Sequence, residues 1–353
     1  MKNPPIIEDI IAQNETRVKW SEKKKRNIAI ANKFLYLAKT IDKRAEDLLS
    51  QGESGQADLE RLKADIYRKR GFRMKDCSKF ITMSVCPDCG RSVGSSASLC
   101  RDRVCPTCAW RLSAKQSTEM LYTLTYINDI ENYTAAFLTL TVENCAVDQL
   151  EPTLKMMSEA WHRMLTKRKN KELIAGTARS TEITYNQKTK TFHPHFHIIM
   201  LLDGVEPTTR AIGEMNAYFN EEWRKAARLI YQPITDLRLI STDSPLEYDK
   251  PVAEQYRRAI LETFKYTIKD DQLADMPLGS FRFYVDAING KRLVNYTGVV
   301  KEARQQLDYS DDLEAETTER RCDNCSAAMI SAVYQWSFAE NTYKRFVNSA
   351  TAC

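Results

Sequence analysis

The sequence predicts an α+β fold centred on a β-α-β-β-α-β order, the ferredoxin-like arrangement of an antiparallel sheet with helices on one face. Three observations predict it. Two β-branched, alternating segments, TAAFLTLTVEN (residues 134–144) and ITDLRLIS (234–241), read as outer members of the order. Between them ARSTEITYN (178–186) and FHPHFHIIMLL (192–202) read as two strands around a short polar turn. Two segments with helical apolar spacing fill the gaps. One is LEPTLKMMSEAWHRML (150–165), with Leu150, Leu154, Met157, Trp161 and Leu165 on one stripe; the other is TTRAIGEMNAYFNEEWRKAARL (208–229).

The elements around this core divide the 353 residues into four regions. Residues 1–70 read as charged helices, with a break at GESGQ (52–56). Residues 71–115 are a cysteine-rich zinc module, 116–275 the core, and 276–353 a C-terminal region with an acidic linker, DYSDDLEAETTE, ahead of CDNC. Composition is that of a water-soluble globular protein, 43% hydrophobic and 28% charged. No apolar run approaches a membrane span, and the first twenty residues lack a signal-peptide core, so a cytoplasmic protein without a membrane partner is expected. The net charge of +5 permits a nucleic-acid partner without demonstrating one. The densest basic runs, EKKKR (22–26) and KRKNK (167–171), are equally readable as solvated helix faces.

Ten cysteines are many for a chain without a secretory signal, which points to metal rather than disulfides. Cys86, Cys89, Cys105 and Cys108 form C-x2-C-x15-C-x2-C, a structural zinc spacing. Cys77, Cys100, Cys322 and Cys325 are also available, enough for two four-cysteine sites. One alternative joins Cys86 and Cys89 to Cys322 and Cys325, leaving Cys77 and Cys100 with Cys105 and Cys108. Zn²⁺ there would fold a module and perform no chemistry.

Three of the four histidines lie in TFHPHFHIIM. On a strand, residues two apart share a face, so His195 and His197 project together while Phe196 and Ile198 face a core. Two imidazoles so placed suit a divalent ion, and a carboxylate would complete a site for Mg²⁺ or Mn²⁺. Glu182 on the preceding strand is the candidate. A two- or four-residue turn pairs it with His195; an odd-length turn sends it to the other face. His193 is either a ligand or a neighbour.

A helix is expected over about residues 252–273. Tyr256, Ile260, Phe264 and Ile268 form its apolar stripe, while Glu262, Tyr266 and Lys269 form a second stripe at i, i+4, i+7. Laid across the histidine face, this second stripe would place a tyrosine nucleophile, a general base and a cation beside a metal-bound phosphodiester.

Taken in order, several motifs resemble those of one family, the rolling-circle plasmid replication initiators of the HUH endonuclease group. FLTLT (137–141) resembles the family's first motif, and HPHFH (193–197) its metal motif. KYTIKD (265–270) resembles the tyrosine motif, with Glu262 one turn before it as in one single-tyrosine plasmid subfamily. The stretch from Cys86 to Leu112 resembles that subfamily's cysteine-rich leader. The resemblance implies an HUH endonuclease core that nicks one strand of a plasmid origin, exposed as single strand at the nick site. It implies a 5′-phosphotyrosyl link on Tyr266 and a free 3′-OH that host DNA polymerase extends while a host helicase unwinds. No G-x-x-x-x-G-K-[ST] loop occurs, in keeping with chemistry that needs no ATP. Two other readings compete. A mobilisation relaxase or transposase would differ in motif order or lack the leader. A non-catalytic zinc-containing DNA-binding regulator would leave the histidine strand without a role.

Overall fold

The computed structural model describes residues 17–240, 252–265, 270–307 and 321–346. In chain order its elements are α1 (Arg17–Ser50), α2 (Ser54–Asp76), β1 (Phe80–Val85), β2 (Ser92–Ala97), α3 (Pro106–Ile130), β3 (Thr134–Thr141) and β4 (Cys145–Ala146). These are followed by α4 (Leu150–Thr166), α5 (Arg168–Leu173), β5 (Ile174–Asn186), β6 (Thr191–Leu202), α6 (Thr209–Ala226) and β7 (Thr235–Leu239). The last are α7 (Val252–Thr263), α8 (Asp270–Asp275), α9 (Leu278–Ile288), β8 (Val294–Thr297), α10 (Gly298–Gln306), β9 (Ile330–Ser337) and β10 (Thr342–Arg345). They form two compact units, Met1–Leu112 with Tyr309–Cys353, and Ser113–Asp308. The four regions expected from the sequence therefore regroup. The boundary expected at 115 falls after Leu112, and region 276–353 is shared, because β8 pairs with β5 whereas β9 pairs with β1.

In the first unit, α1 and α2 form a hairpin. Ile30, Ala31, Phe34, Leu37, Ala38, Ile41 and Ala45 recur at three- and four-residue steps and are buried. Gly71 lets the helices approach: a Cβ there would lie 2.8 Å from the Leu35 side chain. The remaining described elements of this unit include a sheet in the order β10-β9-β1-β2.

In the second unit the sheet runs β7-β3-β6-β5-β8, with β4 on the end of β6, and every pairing is antiparallel. Each β-α-β connection skips one strand: β3 to β5 across β6, and β6 to β7 across β3. This is the ferredoxin-like order expected from the sequence. Alternation then assigns the faces. Ala136, Leu138 and Leu140 of β3 and Phe196, Ile198, Met200 and Leu202 of β6 point to one side. There they pack with Met157, Trp161 and Met164 of α4 and Ile212, Phe219 and Trp223 of α6. The odd-numbered positions of β6 face the other way and carry His195 and His197 (5% exposed).

The register that places Glu182 depends on the loop 187–190. Asn186 Oδ1 accepts from the backbone N–H of Lys188 at 3.0 Å and Thr189 at 3.2 Å, and Lys190 adopts φ +54°. The loop has four residues, so Asn186 pairs with Thr191 and Glu182 with His195. β8 was not anticipated. Its four residues are too short for a periodicity signal, yet they extend the sheet along β5 from Thr177 to Ser180.

Helix α7 ends at Thr263, short of the expected 273. Two hydroxyls capture its terminal carbonyls: Ser180 Oγ donates to the Thr263 oxygen and Ser113 Oγ to the Phe264 oxygen. Tyr256, Ile260 and Phe264 are buried as the apolar stripe requires. Tyr266, Ile268 and Lys269 lie outside the described residues.

Candidate active site and metal centres

Three donors converge on the face of β5 and β6 that points away from α4 and α6. Glu182 Oε2 lies 2.8 Å from His197 Nε2 and 3.2 Å from His195 Nε2. The ligand-type atoms of these residues all fall within 4.8 Å of one another, so the group could hold a metal ion. Each ring is oriented from behind. His195 Nδ1 lies 3.2 Å from the His193 carbonyl oxygen, which can only accept, so Nδ1 carries the proton. His195 Nε2 and His197 Nε2 both meet the same Glu182 oxygen, so a proton or a cation must lie between each nitrogen and the carboxylate. Two imidazoles with one carboxylate are a donor set that fits a divalent cation. His197 stacks on Phe137 at a centroid distance of 5.5 Å, and its Nδ1 is 3.4 Å from Thr139 Oγ1. His193 contributes its carbonyl to this arrangement, and its ring is not among the converging donors.

Burial opposes the Glu182 charge, but hydrogen bonds from His195, His197 and Lys265 outweigh it and hold the carboxyl well below the usual range. Lys265 is a residue the sequence reading passed over. Its Nζ is 2.8 Å from Glu182 Oε2 and also pairs with Glu262 Oε1. The same two carboxylates, against the cost of burial, push its ammonium pKa up. The available signal was its place in KYTIKD, three residues after Glu262.

Glu262 sits in the last turn of α7, with its Oε1 3.9 Å from His197 Nε2. Its side chain is 45% exposed, so it stays open to solvent beside a buried ligand group. Ser180, paired with His197 in the sheet, anchors this helix end through Thr263. The end of α7 is thus fixed over the histidine face by the strand that carries Glu182.

The eight cysteines form two groups, the partition that the sequence left open as the alternative to a single site from Cys86, Cys89, Cys105 and Cys108. Cys77, Cys100, Cys105 and Cys108 cluster together; Cys86 and Cys89 join Cys322 and Cys325. The hairpin explains the split. β1 runs from near Cys77 to Cys86, about 20 Å at ~3.3 Å per residue, and β2 returns the chain to Cys100. The two C-x2-C motifs of the leader therefore sit at opposite ends of the hairpin. Because Val85 pairs with Ile330, β9 brings the preceding CDNC loop to the Cys86 end.

The two loops of that second group share one geometry. Cys86 N–H donates to Arg91 O at 2.8 Å and Gly90 N–H to Cys86 O at 3.1 Å. Likewise Cys322 N–H donates to Ala327 O at 2.8 Å and Ser326 N–H to Cys322 O at 2.7 Å. The fifth residue of each is left-handed, Gly90 at φ +72° and Ser326 at φ +60°. Cys86–Cys325 and Cys89–Cys322 sulfur distances are 3.3 and 3.5 Å. In the first group Cys77–Cys108, Cys100–Cys108 and Cys77–Cys105 are 3.5, 3.6 and 3.5 Å. A tetrahedral site with Zn–S bonds of ~2.3 Å has sulfur–sulfur edges of about 3.8 Å, so both groups fit one ion each.

Positive charge surrounds the first group. Lys24 is buried and donates to the carbonyls of Lys75 at 2.7 Å and Cys77 at 2.5 Å, and Arg73 donates to the Cys100 carbonyl. Burial pushes the Lys24 ammonium down to about 8. The EKKKR run is therefore partly interior rather than a solvated face. In KRKNK, Lys167 pairs with Glu222 at 2.7 Å and Arg168 with Glu172 at 3.0 Å. No helix among the described residues is long and apolar enough to cross a membrane.

Comparison with known proteins gives the fold and site a context. The family model described as Replication protein (Rep_1) matches residues 92–344, more than half of the chain. A "Protein rep" from Bacillus amyloliquefaciens is 29% identical over 321 residues, covering 87% of this chain and 86% of the relative. One from Lactiplantibacillus plantarum is 24% identical over 346 residues, with 96% and 98% covered. Another, from Streptococcus pneumoniae serotype 2, is 29% identical over 265 residues, with 70% and 77% covered. No solved structure matches. An order of strands, a histidine face and a cysteine-rich leader that resembled one family from the sequence are thus joined by a match across most of the chain: it belongs to the replication protein (Rep_1) family, the plasmid rolling-circle replication initiators.

Proposed function

We propose that the protein initiates rolling-circle replication by nicking one strand of a plasmid's double-strand origin through a tyrosine transesterification. The observation that carries the reading is the convergence of Glu182, His195 and His197 beneath the end of α7, immediately before Tyr266 in the chain. His195, His197 and Glu182 would hold Mg²⁺ or Mn²⁺. When bound, the ion would supply Lewis-acid polarisation of a scissile phosphate.

The chain's own groups supply the rest. The Tyr266 hydroxyl attacks phosphorus as its proton passes to Glu262. The bond to the 3′-oxygen breaks, leaving a 5′-phosphotyrosyl link and a free 3′-OH. One phosphodiester is exchanged for another, so its energy is conserved and ATP is not consumed. Lys265 and Lys269 balance charge on the phosphate. The free 3′-OH is the end that host DNA polymerase extends, with a host helicase opening the duplex. Glu262 later activates water to end a round, which removes the need for a second tyrosine. The two cysteine groups hold structural Zn²⁺. A non-catalytic DNA-binding regulator accounts for the cysteines but leaves the buried Glu182–His195–His197 group without a role.

The experiment is incubation with Mn²⁺ and a labelled single-stranded origin oligonucleotide, followed by a denaturing gel. A covalent adduct that requires Tyr266 is expected. Absence of any adduct with Mg²⁺ or Mn²⁺ favours the regulator.

A further inference from the structure

A second concave site lies on the other side of the sheet. Arg179 pairs with Ile198 and Thr181 with Phe196, so their side chains share the face away from His195 and His197. There a cavity of about 400 Å³ opens between α4, β5, β8 and the segment before β8. Pockets of this size suit small ligands.

Its chemistry is one-signed. Arg179, Lys291 and Arg292 line it, and among the described residues none of those lining it is acidic. Arg179 is 5% exposed, yet its Nε and Nη1 have no hydrogen-bond partner. Its guanidinium lies over the Phe196 ring, 4.1 Å from the centroid. Trp161, also on the wall, has a buried indole N–H without a partner. Burying an arginine without a counter-ion is costly, and native interiors rarely leave such donors unmet. Asn295 and Ser158 add neutral hydrogen-bonding groups to the lining, and Leu154 an apolar wall.

We propose that this cavity is an anion site that takes the phosphate group of a nucleotide, with Arg179 as its buried anchor. A guanidinium offers parallel N–H donors to phosphate oxygens through Nε with Nη2 or Nη1 with Nη2, and the unpartnered Nε and Nη1 of Arg179 leave one donor of each such pair unmet. Arg292 at the mouth attracts the anion, while Lys291 is already paired with Glu151 at 3.0 Å. The apolar and aromatic wall accommodates the remainder of the nucleotide. The phosphate can belong to a free mononucleotide or to a nucleotide within a DNA strand. The proposal is independent of the nicking reading, because it concerns the opposite sheet face and binding alone.

The test is titration calorimetry on the full chain at fixed low salt, with three probes: inorganic phosphate, thymidine 5′-monophosphate and a twelve-nucleotide oligo(dT). Each is measured on the parent, on Arg179→Met and on Arg292→Ala. Methionine retains the bulk at position 179 and removes a charge that makes no hydrogen bond through Nε or Nη1, so its fold is expected to persist. Arg292 is exposed and its truncation spares the core. A free-nucleotide site predicts saturable binding of the monophosphate, competition by phosphate, and roughly 10–100-fold weakening in Arg179→Met. A strand site predicts the same weakening for the oligonucleotide alone. Arg292→Ala weakens whichever probe binds, which keeps the test open should Arg179→Met unfold. Unchanged affinity for all three probes in folded variants, or no binding of any probe by the parent, overturns the proposal and makes Arg179 a purely structural stack on Phe196.

Discussion

Glu182 and His195 face each other across β5 and β6, directly paired in the ladder, with Oε2 and Nε2 3.2 Å apart. The pairing makes a carboxylate on one strand and imidazoles on the next into one donor group. It predicts that Glu182→Ala loses Mn²⁺ affinity by more than the roughly 10–100-fold typical of removing a partner behind a ligand. Calorimetric titration with Mn²⁺ checks this. Unchanged affinity would remove Glu182 from the site.

The same relationship depends on loop length. Inserting one glycine between Lys188 and Thr189 makes the loop odd. Either the insert bulges locally or the register slips by one and Glu182 turns to the core face. A carboxylate forced into that core is costly, so the bulge is the expected outcome, with Mn²⁺ affinity retained to within about tenfold. Replacing the loop by a two-residue Asn-Gly turn preserves the even count and should also retain affinity. Loss of Mn²⁺ binding in the two-residue variant alone would show that the loop does more than set register.

The cysteine partition predicts two zinc ions per chain, lost independently. Cys322→Ser should lose the ion shared with Cys86, Cys89 and Cys325 and keep the other. Cys100→Ser should do the reverse. Metal analysis of purified variants reads out one zinc in each case. Strong chelation should unfold the small sheet of the first unit, since a structural zinc site contributes directly to folding. A single zinc per parent chain, removed by Cys86→Ser and Cys105→Ser alike, would restore the spacing-based site.

Much of this could be read from the amino acids, for physical reasons. Period-two alternation gave the two faces of β6, because it depends on local geometry alone; pairing arithmetic made Glu182 only a candidate, and the four-residue loop pairs it with His195. The cysteine partition was open because it depends on β1 meeting β9 across more than two hundred residues. The end of α7 was overrun because its stop signal is tertiary: hydroxyls of Ser180 and Ser113 take the last carbonyls. Lys265 was passed over because helical spacing was extended past that end. Arg179 on β5 gave no sign of its surroundings, which are assembled from four separate elements.

Glu262 separates two steps of the proposed cycle. Glu262→Ala should still form the covalent adduct, at a rate lowered by about 10²–10⁴-fold if its role as base is fully used. Adduct already formed should then persist because water is not activated. A chase with unlabelled oligonucleotide and a time course of adduct decay measure this. Decay at the parent rate would assign termination to another group.

The central claim, covalent nicking by Tyr266, is tested most directly by mass spectrometry of the adduct. The protein is reacted with an origin oligonucleotide and Mn²⁺, digested with protease and nuclease, and the modified peptide sequenced. The account predicts a 5′-linked phosphodeoxynucleotide on Tyr266, absent from Tyr266→Phe and from the His195→Ala, His197→Ala double variant. A nucleotide on any other residue, or an adduct formed equally well without those histidines, would contradict it.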